Sequence, residues 1–195
     1  EQGEQGLATL LALPGICQPS ELTEAQREHR WQLVAKLTSQ ALERLVAMRA
    51  VEGQALAADL KTHCDVIARS MAAVRTRLPA ILTEYRDRLR TRIQELIADS
   101  TVRLAEEDLL KEVSIYAERS DISEELSRLS GHVEQFLGLM TTPEPAGRKL
   151  EFIAQEMLRE ANTMGSKTGD VLVAREIIEV KSAVDRIKEQ VANAE

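Results

Sequence analysis

Aromatic side chains are scarce in this chain, making up 3% of its 195 residues. Strands draw heavily on aromatic and β-branched residues, so this scarcity argues against a β-rich core. Only five prolines and nine glycines interrupt the sequence, which leaves long segments of good helix formers such as Leu, Ala, Glu and Arg. The sequence therefore predicts an all-α fold, in which long coiled-coil-like helices are followed by a smaller C-terminal helical bundle.

Cysteines are few, and long apolar runs are missing. Cys17 and Cys64 are isolated and show no CxxC spacing, as expected of reduced thiols in a cytoplasmic protein. No apolar run approaches the length that crosses a bilayer, and no signal-peptide pattern is present. We therefore expect no membrane association and a cytoplasmic location.

The net charge is −7, which at first argues against a nucleic-acid partner, but the charges are unevenly distributed. Between residues 69 and 92 there are seven arginines and only two acids, Glu84 and Asp87. Arginine suits bidentate phosphate contacts. Arginines on a long helix are equally the ordinary partners of neighbouring acids, so both interpretations stay open.

Three segments are predicted along the chain: a linker over 1–20, a long helical arm over 21–100, and a C-terminal helical motif domain over 101–195. Because the first residue is Glu1, we expect the chain to be a fragment. Thr23 and Gln26 fit a capping box at the start of the arm. Apolar residues at coiled-coil spacing recur over 56–96, with Gly53 and Pro79 as expected kinks.

Three shorter amphipathic helices are predicted over 121–140, 147–163 and 170–194. The last has β-branched residues at strict 4/3 spacing from Val173 to Val191, a seam that needs a partner helix inside the chain or from another subunit. Gly165 is expected to end the second helix through a left-handed conformation. The Gly165-Ser166-Lys167 turn lacks the upstream glycine of a phosphate loop, so no nucleotide cofactor is expected.

One stripe of the 121–140 helix carries Asp121, Glu125, Arg128 and His132 at spacings of 4, 3 and 4. A glutamate and a histidine on one helix face can share a divalent cation or perform acid–base chemistry. The same row is also typical of an intrahelical ladder of ion pairs.

The polar face of the 147–163 helix mixes arginines, amides, carboxylates and an exposed phenylalanine, a composition that favours a binding surface. Packing against another helix or subunit would account for it equally. A second group of carboxylates, Glu151, Glu156 and Glu160, lies close to Arg148 and Arg159. Such a combination suits phosphoryl transfer, and structural salt bridges would use the same residues.

The run from Asp121 to His132 (DISEELSRLSGH), followed by Gly147-Arg-Lys-Leu-Glu-Phe152 and by the run from Gln155 to Lys167 (QEMLREANTMGSK), resembles the C-terminal region of the YicC/YloC family of bacterial endoribonucleases. The stretches Leu11–Gly15, Glu52–Leu56 and Arg77–Pro79 resemble the middle region of that family. Glu151 stands where the family commonly has aspartate. The resemblance implies a metal-dependent endoribonuclease with Mn²⁺ or Mg²⁺ as cofactor, RNA as partner and a homo-oligomer, hexameric in the intact protein. The family's N-terminal α/β domain is expected to be absent.

The resemblance also implies site residues. The catalytic candidates are Glu125, His132 and Glu156. The RNA-binding candidates are Arg128, Arg148, Phe152, Gln155, Arg159, Asn162 and Lys167. The metal ligands would come from Glu125, Glu151, Glu156 and His132. If cleavage instead uses the ribose 2′-hydroxyl, His132 becomes the candidate base.

A different class of function also fits these patterns. The heptad seams over 56–96 and 173–191 and the arginine-rich segment are compatible with a helical oligomerisation and RNA-clamping module that has no chemistry of its own. A protein-binding regulator without RNA contact is a third hypothesis.

Overall fold

The computed structural model describes residues 15, 22–98, 105–142 and 144–192. Within these residues the chain forms helices and no strand, which confirms the all-α prediction. The helices are α1 (Glu24–Ile97), α2 (Glu106–Ser120), α3 (Ser123–Met140), α4 (Gly147–Lys167) and α5 (Val171–Ala192). None of them combines the length and the hydropathy that crossing a membrane requires.

The first helix begins at the predicted capping box. The Thr23 amide donates to Gln26 Oε1 at 3.0 Å, and the Gln26 amide donates to Thr23 Oγ1 at 3.3 Å. Two amides without intrahelical acceptors are thereby satisfied. From Glu24 the helix runs without a break through Gly53 and Pro79 to Ile97. Apart from Gly15, the predicted linker over 1–20, with Cys17, lies outside the described residues.

The chain divides into two compact units, residues 1–52 and residues 53–195. The first unit contains the beginning of α1. Within this unit, every described side chain from Thr23 onward is exposed. The second unit begins about fifty residues before the predicted boundary at 100/101. The reason is that α1 contributes buried residues between Leu60 and Ile81 to the same core as the later helices.

The core of the second unit is built around α4, which packs against both α3 and α5. The predicted apolar face of α4 is buried, with Ala154, Met157 and Ala161 each 0% exposed. The β-branched seam of α5 is buried as well, from Val173 (1% exposed) to Val191 (3%). Its partner therefore lies inside the chain, the first of the two alternatives that the spacing left open.

Gly165 does not end α4. The helix continues to Lys167, and among the described residues Gly15 alone has a positive φ. A Cβ atom at position 165 would lie 3.4 Å from Lys181 Nζ and 3.5 Å from the Ile177 side chain on α5. These are ordinary contact distances, so Gly165 lies where α4 packs against α5. The prediction of a left-handed helix end was wrong because the helix continues past this residue.

The start of α5 is attached to α1 through Asp170. Asp170 Oδ1 accepts hydrogen bonds from the amides of Leu172 and Val173, both at 3.0 Å, and so caps α5. Asp170 Oδ2 accepts from Arg77 Nη2 at 2.9 Å, while the same guanidinium makes two hydrogen bonds of 2.6 Å to Glu84. One of the predicted phosphate-binding arginines, Arg77, is therefore an internal ion-pair partner.

Candidate nucleic-acid interface

The polar site predicted on α3 and α4 is held together by two interhelical ion pairs. Lys167 Nζ lies 2.7 Å from Glu125 Oε1, and Arg128 Nη1 lies 3.7 Å from Glu160 Oε1. As the position on α3 advances from 125 to 128, its partner on α4 falls from 167 to 160. The two helices are therefore antiparallel, and the predicted stripe of α3 runs alongside the C-terminal half of α4.

Glu125 and Lys167 form an internal tie between the helices. Glu125 is 7% exposed, and Lys167 also donates to the Asp121 carbonyl oxygen at 3.1 Å. Burial is the largest single influence and raises the pKa of Glu125, but the hydrogen bond from Lys167, a backbone hydrogen bond and the charge of Lys167 together lower it, so the pKa lies below its ordinary value. The predicted catalytic carboxylate Glu125 and the predicted RNA-binding amine Lys167 thus already neutralise each other.

Arg128 lies between two acids at the surface of α3. Its Nη2 donates to Glu124, one turn earlier on the same helix, and its Nη1 faces Glu160 on α4. The Arg128 side chain is 58% exposed, so the guanidinium remains open to solvent. The predicted RNA-binding arginine is therefore accessible and held from both sides.

His132 on α3 and Glu156 on α4 lie at about the same height along the helix pair. Both residues are partly buried, and continuing the register of the two ion pairs places His132 level with positions 156–160 of α4. Glu156 Oε2 lies 4.0 Å from Arg159 Nη1, one turn along α4. The two acid–base candidates are thus at the same level of the helix pair, beside the exposed arginines.

Five of the RNA-binding candidates form one exposed row on α4, at spacings of 4, 3, 4 and 3 residues, namely Arg148, Phe152, Gln155, Arg159 and Asn162. At 100° per residue they fall within about 80° of arc, and at 1.5 Å per residue they extend over about 21 Å. Phe152 is 60% exposed, which confirms its predicted exposure. Gln155 Nε2 donates to Glu151 Oε1 at 3.3 Å, so Glu151 lies beside this row. We call these five residues the α4 row.

The predicted metal ligands do not converge within one chain. Over the ranges 22–98, 105–142 and 144–192, no three His, Cys, Asp or Glu side chains come together in a way that could hold an ion. Glu125 is buried against Lys167, whereas Glu151 is exposed. These residues therefore do not fit a metal centre formed by a single copy.

Sequence reasoning missed two features next to this site. The first is the partner of Glu160: this residue was predicted among the carboxylates near Arg148 and Arg159, but it is 5% exposed and pairs with Arg128, a residue 32 positions away that no local pattern identifies. A cavity of about 470 Å³ borders the Lys167 end of the site. Its walls come from three separate segments, which include Pro79, Tyr116 and Thr168, so no single motif could have indicated it.

The chain matches two profiles of one family. Residues 74–195 match the profile described as endoribonuclease YicC-like, C-terminal, and residues 1–58 match the profile of the N-terminal region of the same family. The prediction that the N-terminal domain is absent was therefore wrong, since part of the chain belongs to that region. The long run of α1 across residues 24–97 had been interpreted as the family's middle segment alone.

Two curated relatives carry the name probable endoribonuclease YicC. The protein from Clostridioides difficile (strain 630) is 35% identical over 175 residues, covering 90% of this chain and 59% of the relative. The protein from Haemophilus influenzae (strain ATCC 51907 / DSM 11121 / KW20 / Rd) is 31% identical over 194 residues, covering 100% of this chain and 65% of the relative. The chain thus spans less than two thirds of the length of either relative. Because the C-terminal profile alone matches more than half of its residues, the chain belongs to the YicC-like endoribonuclease family.

Proposed function

We propose that this chain is part of an endoribonuclease and that the face formed by α3 and α4 binds the RNA. The observation that carries the proposal is the exposed α4 row, whose Arg159 pairs with Glu156, in a member of this family. Arg148 and Arg159 offer cationic groups to phosphates. Phe152 offers a flat apolar surface on which an unpaired base can stack. Gln155 and Asn162 add hydrogen-bonding amides.

Two routes of cleavage are compatible with this face. In the first, His132 takes the proton from a ribose 2′-hydroxyl, and the resulting oxygen attacks the adjacent phosphorus. The bond from phosphorus to the 5′-oxygen breaks, that oxygen takes up a proton from water, and the products are a 2′,3′-cyclic phosphate and a 5′-hydroxyl. Arg148 and Arg159 stabilise the negative charge that develops on the phosphate.

The second route is hydrolysis that depends on Mn²⁺ or Mg²⁺. Carboxylates such as Glu151 and Glu156 suit these hard cations. Since the described part of one copy does not bring three ligands together, phosphate oxygens of the RNA or a second copy of the chain would have to complete the set. Glu125 is the least suited of the predicted ligands because Lys167 already occupies it.

Cleavage of a labelled stem–loop RNA tests the proposal. The chain is incubated with the RNA and Mn²⁺, with and without EDTA. We expect His132→Ala and Glu156→Gln to reduce cleavage by at least about a hundredfold, in the range of a lost acid–base group. The matched controls His29→Ala and Glu179→Gln change exposed residues outside this face and should cleave normally.

The products distinguish the two routes. Cyclic phosphate ends formed in the presence of EDTA support the 2′-hydroxyl route, while cleavage that EDTA abolishes supports the metal-dependent route. If both His132→Ala and Glu156→Gln cleave as fast as the unchanged protein, the α3/α4 face is not the active site.

A second candidate function, helical assembly with RNA clamping, is favoured by a different observation. Within the first unit, α1 exposes large apolar side chains on one face: Trp31, Val34, Leu37, Leu42, Leu45 and Met48. We call these six residues the α1 stripe. Exposed apolar stripes of this kind mark protein–protein contact, and a second copy of the chain is the partner we propose. The hexameric state and the cytoplasmic location remain predictions.

A further inference from the structure

The two acids that hold Arg128 differ in how firmly they are fixed. The Glu124 side chain is 73% exposed and belongs to the same helix as Arg128. The Glu160 side chain is 7% exposed and belongs to α4. An exposed glutamate rotates freely and contributes little through its ion pair. A buried one is fixed by the packing around it.

A buried carboxylate at position 160 is costly for stability. Its neighbours at 157, 161 and 164 on α4 are core residues that are at most 1% exposed, and an apolar side chain of similar size would avoid the desolvation of the charge. The one ion pair of Glu160 within the described parts of the chain joins it to Arg128. Its position is therefore better explained by what it does to Arg128 than by what it adds to the core.

We propose that Glu160 is a positioning residue that holds Arg128 where α3 lies against α4, ready to contact a phosphate of bound RNA. This inference rests on the proposed function. Nη1 of Arg128 stays with Glu160, and the incoming phosphate takes the place of Glu124 at Nη2. Arg128 then contacts the RNA at the level of Arg159 and Asn162, the C-terminal end of the α4 row.

The two acids make the proposal testable because Glu124→Gln and Glu160→Gln each remove one negative charge next to Arg128. If only the overall charge mattered, Glu124→Gln and Glu160→Gln would both tighten RNA binding slightly. If Glu160 positions Arg128, the effects have opposite signs. Glu124→Gln removes a competitor of the phosphate and tightens binding, whereas Glu160→Gln releases Nη1 and weakens it.

The measurement is the affinity for a fluorescent, 2′-O-methylated stem–loop RNA in EDTA, over a series of salt concentrations. We expect Glu160→Gln to weaken binding by about five- to tenfold, the size of one charge-assisted contact. The slope of log K against log salt should fall by about 0.7 to 0.9, as for one lost phosphate contact. Arg128→Lys keeps the charge but loses the fork of two nitrogens, and it should behave in the same way. Glu134→Gln, an exposed neutralisation on α3, is the matched control and should change affinity by less than twofold.

The double variant Arg128→Gln/Glu160→Gln shows whether the acid acts through the arginine. Glu160→Gln should have no further effect once Arg128 is replaced. A full effect in that background, or equal effects of Glu124→Gln and Glu160→Gln, overturns the positioning role while leaving RNA binding intact. Failure of the unchanged protein to bind RNA would instead overturn the proposed function, and the phosphate role of Arg128 with it.

Discussion

At the scale of single residues, three acids with little exposure are each held by a base from another helix. Glu125 pairs with Lys167, Glu160 lies near Arg128, and Asp170 pairs with Arg77. A charge taken out of water is tolerated when such a partner compensates it. These pairs fix which residues of neighbouring helices face each other, something that apolar contacts alone specify less strictly.

Asp170 uses its two carboxylate oxygens for different bonds, so two substitutions separate them. Asp170→Asn keeps a cap for α5 but loses the charge that binds Arg77, and Asp170→Ala loses both. We expect the melting temperature to fall in the order unchanged protein, Asn, Ala, with the lost cap contributing about 1 kcal/mol. Thermal unfolding followed by circular dichroism measures this. Asp185→Ala, an exposed change on α5, is the control. Equal melting of the Ala variant and the unchanged protein would contradict the capping role.

Acid should weaken the fold through the same pairs. The pKa of Asp170 lies below its ordinary value of 3.8, chiefly because of its hydrogen bond to Arg77, and the pKa of Glu125 is also lowered, from 4.5. A group with a lowered pKa in the folded state stabilises the fold above its ordinary pKa and loses this effect as the pH falls through the folded value. The free energy of unfolding in urea should therefore be constant from pH 7 to about 5 and decrease below about 4.5.

Lys167→Met isolates the contribution of Glu125 to this pH dependence. Without its base, Glu125 should keep a higher pKa, so the variant should be less stable at pH 7 and lose less stability between pH 5 and pH 3. Lys188→Met, at a partly buried lysine of α5, serves for comparison. Identical pH profiles for Lys167→Met and the unchanged protein would show that the ion pair does not contribute.

At the scale of the elements, apolar periodicity predicted α3, α4 and α5 and their buried faces. It did so because a 3.6-residue repeat determines which side of a helix faces the core. The same repeat does not say which helix covers that side. The spacing therefore left open which helix covers the seam of α5, and the prediction ended α4 too early at Gly165, a residue that lies in the contact with α5.

Two isoleucines on α5 test this burial directly. Ile187 is 0% exposed and Ile178 is 64% exposed on the same helix. We expect Ile187→Ala to lower the free energy of unfolding by about 2–5 kcal/mol, because it leaves a cavity in the core. Ile178→Ala should change it by less than about 0.5 kcal/mol. Urea denaturation measures the free energy of unfolding of both variants. Similar decreases for the two would contradict the burial of the α5 seam.

The candidate site was predictable only in part. The α4 row could be predicted from the sequence because its five residues share one helix face and none of them belongs to the apolar stripe. The pairing of Glu125 with Lys167 and the contact between Glu160 and Arg128 depend on how α3 lies against α4. Each joins residues more than 30 positions apart, and for that reason Glu125 was predicted as a catalytic group rather than as a tie between helices.

At the scale of the whole molecule, the sequence identified the family correctly and misjudged how much of it the chain contains. Residues 1–58 match the N-terminal region, although α1 carries the same helical pattern through this stretch as beyond it. A continuous helix gives no sign in its own periodicity of where one family region meets another, so this boundary could not be found from apolar spacing.

The α1 stripe should govern self-association. Leu45→Glu together with Met48→Glu places two charges within the stripe, and we expect this variant to have a lower mass in solution than the unchanged protein. Val46→Glu with Val51→Glu adds the same charges at exposed apolar positions of α1 outside the stripe and should keep the original mass. Light scattering after size-exclusion chromatography makes the comparison. An unchanged mass for the stripe variant would contradict assembly through this face.

The single tryptophan of the chain, Trp31, lies in the α1 stripe, 67% exposed and far along the sequence from the core of the second unit. Its fluorescence should therefore shift to shorter wavelength when copies associate and should respond little when the core of α3, α4 and α5 melts. On this expectation, the emission wavelength of Trp31 reports association and changes little when the core unfolds. Emission and circular dichroism recorded on the same sample would separate the two processes without any label.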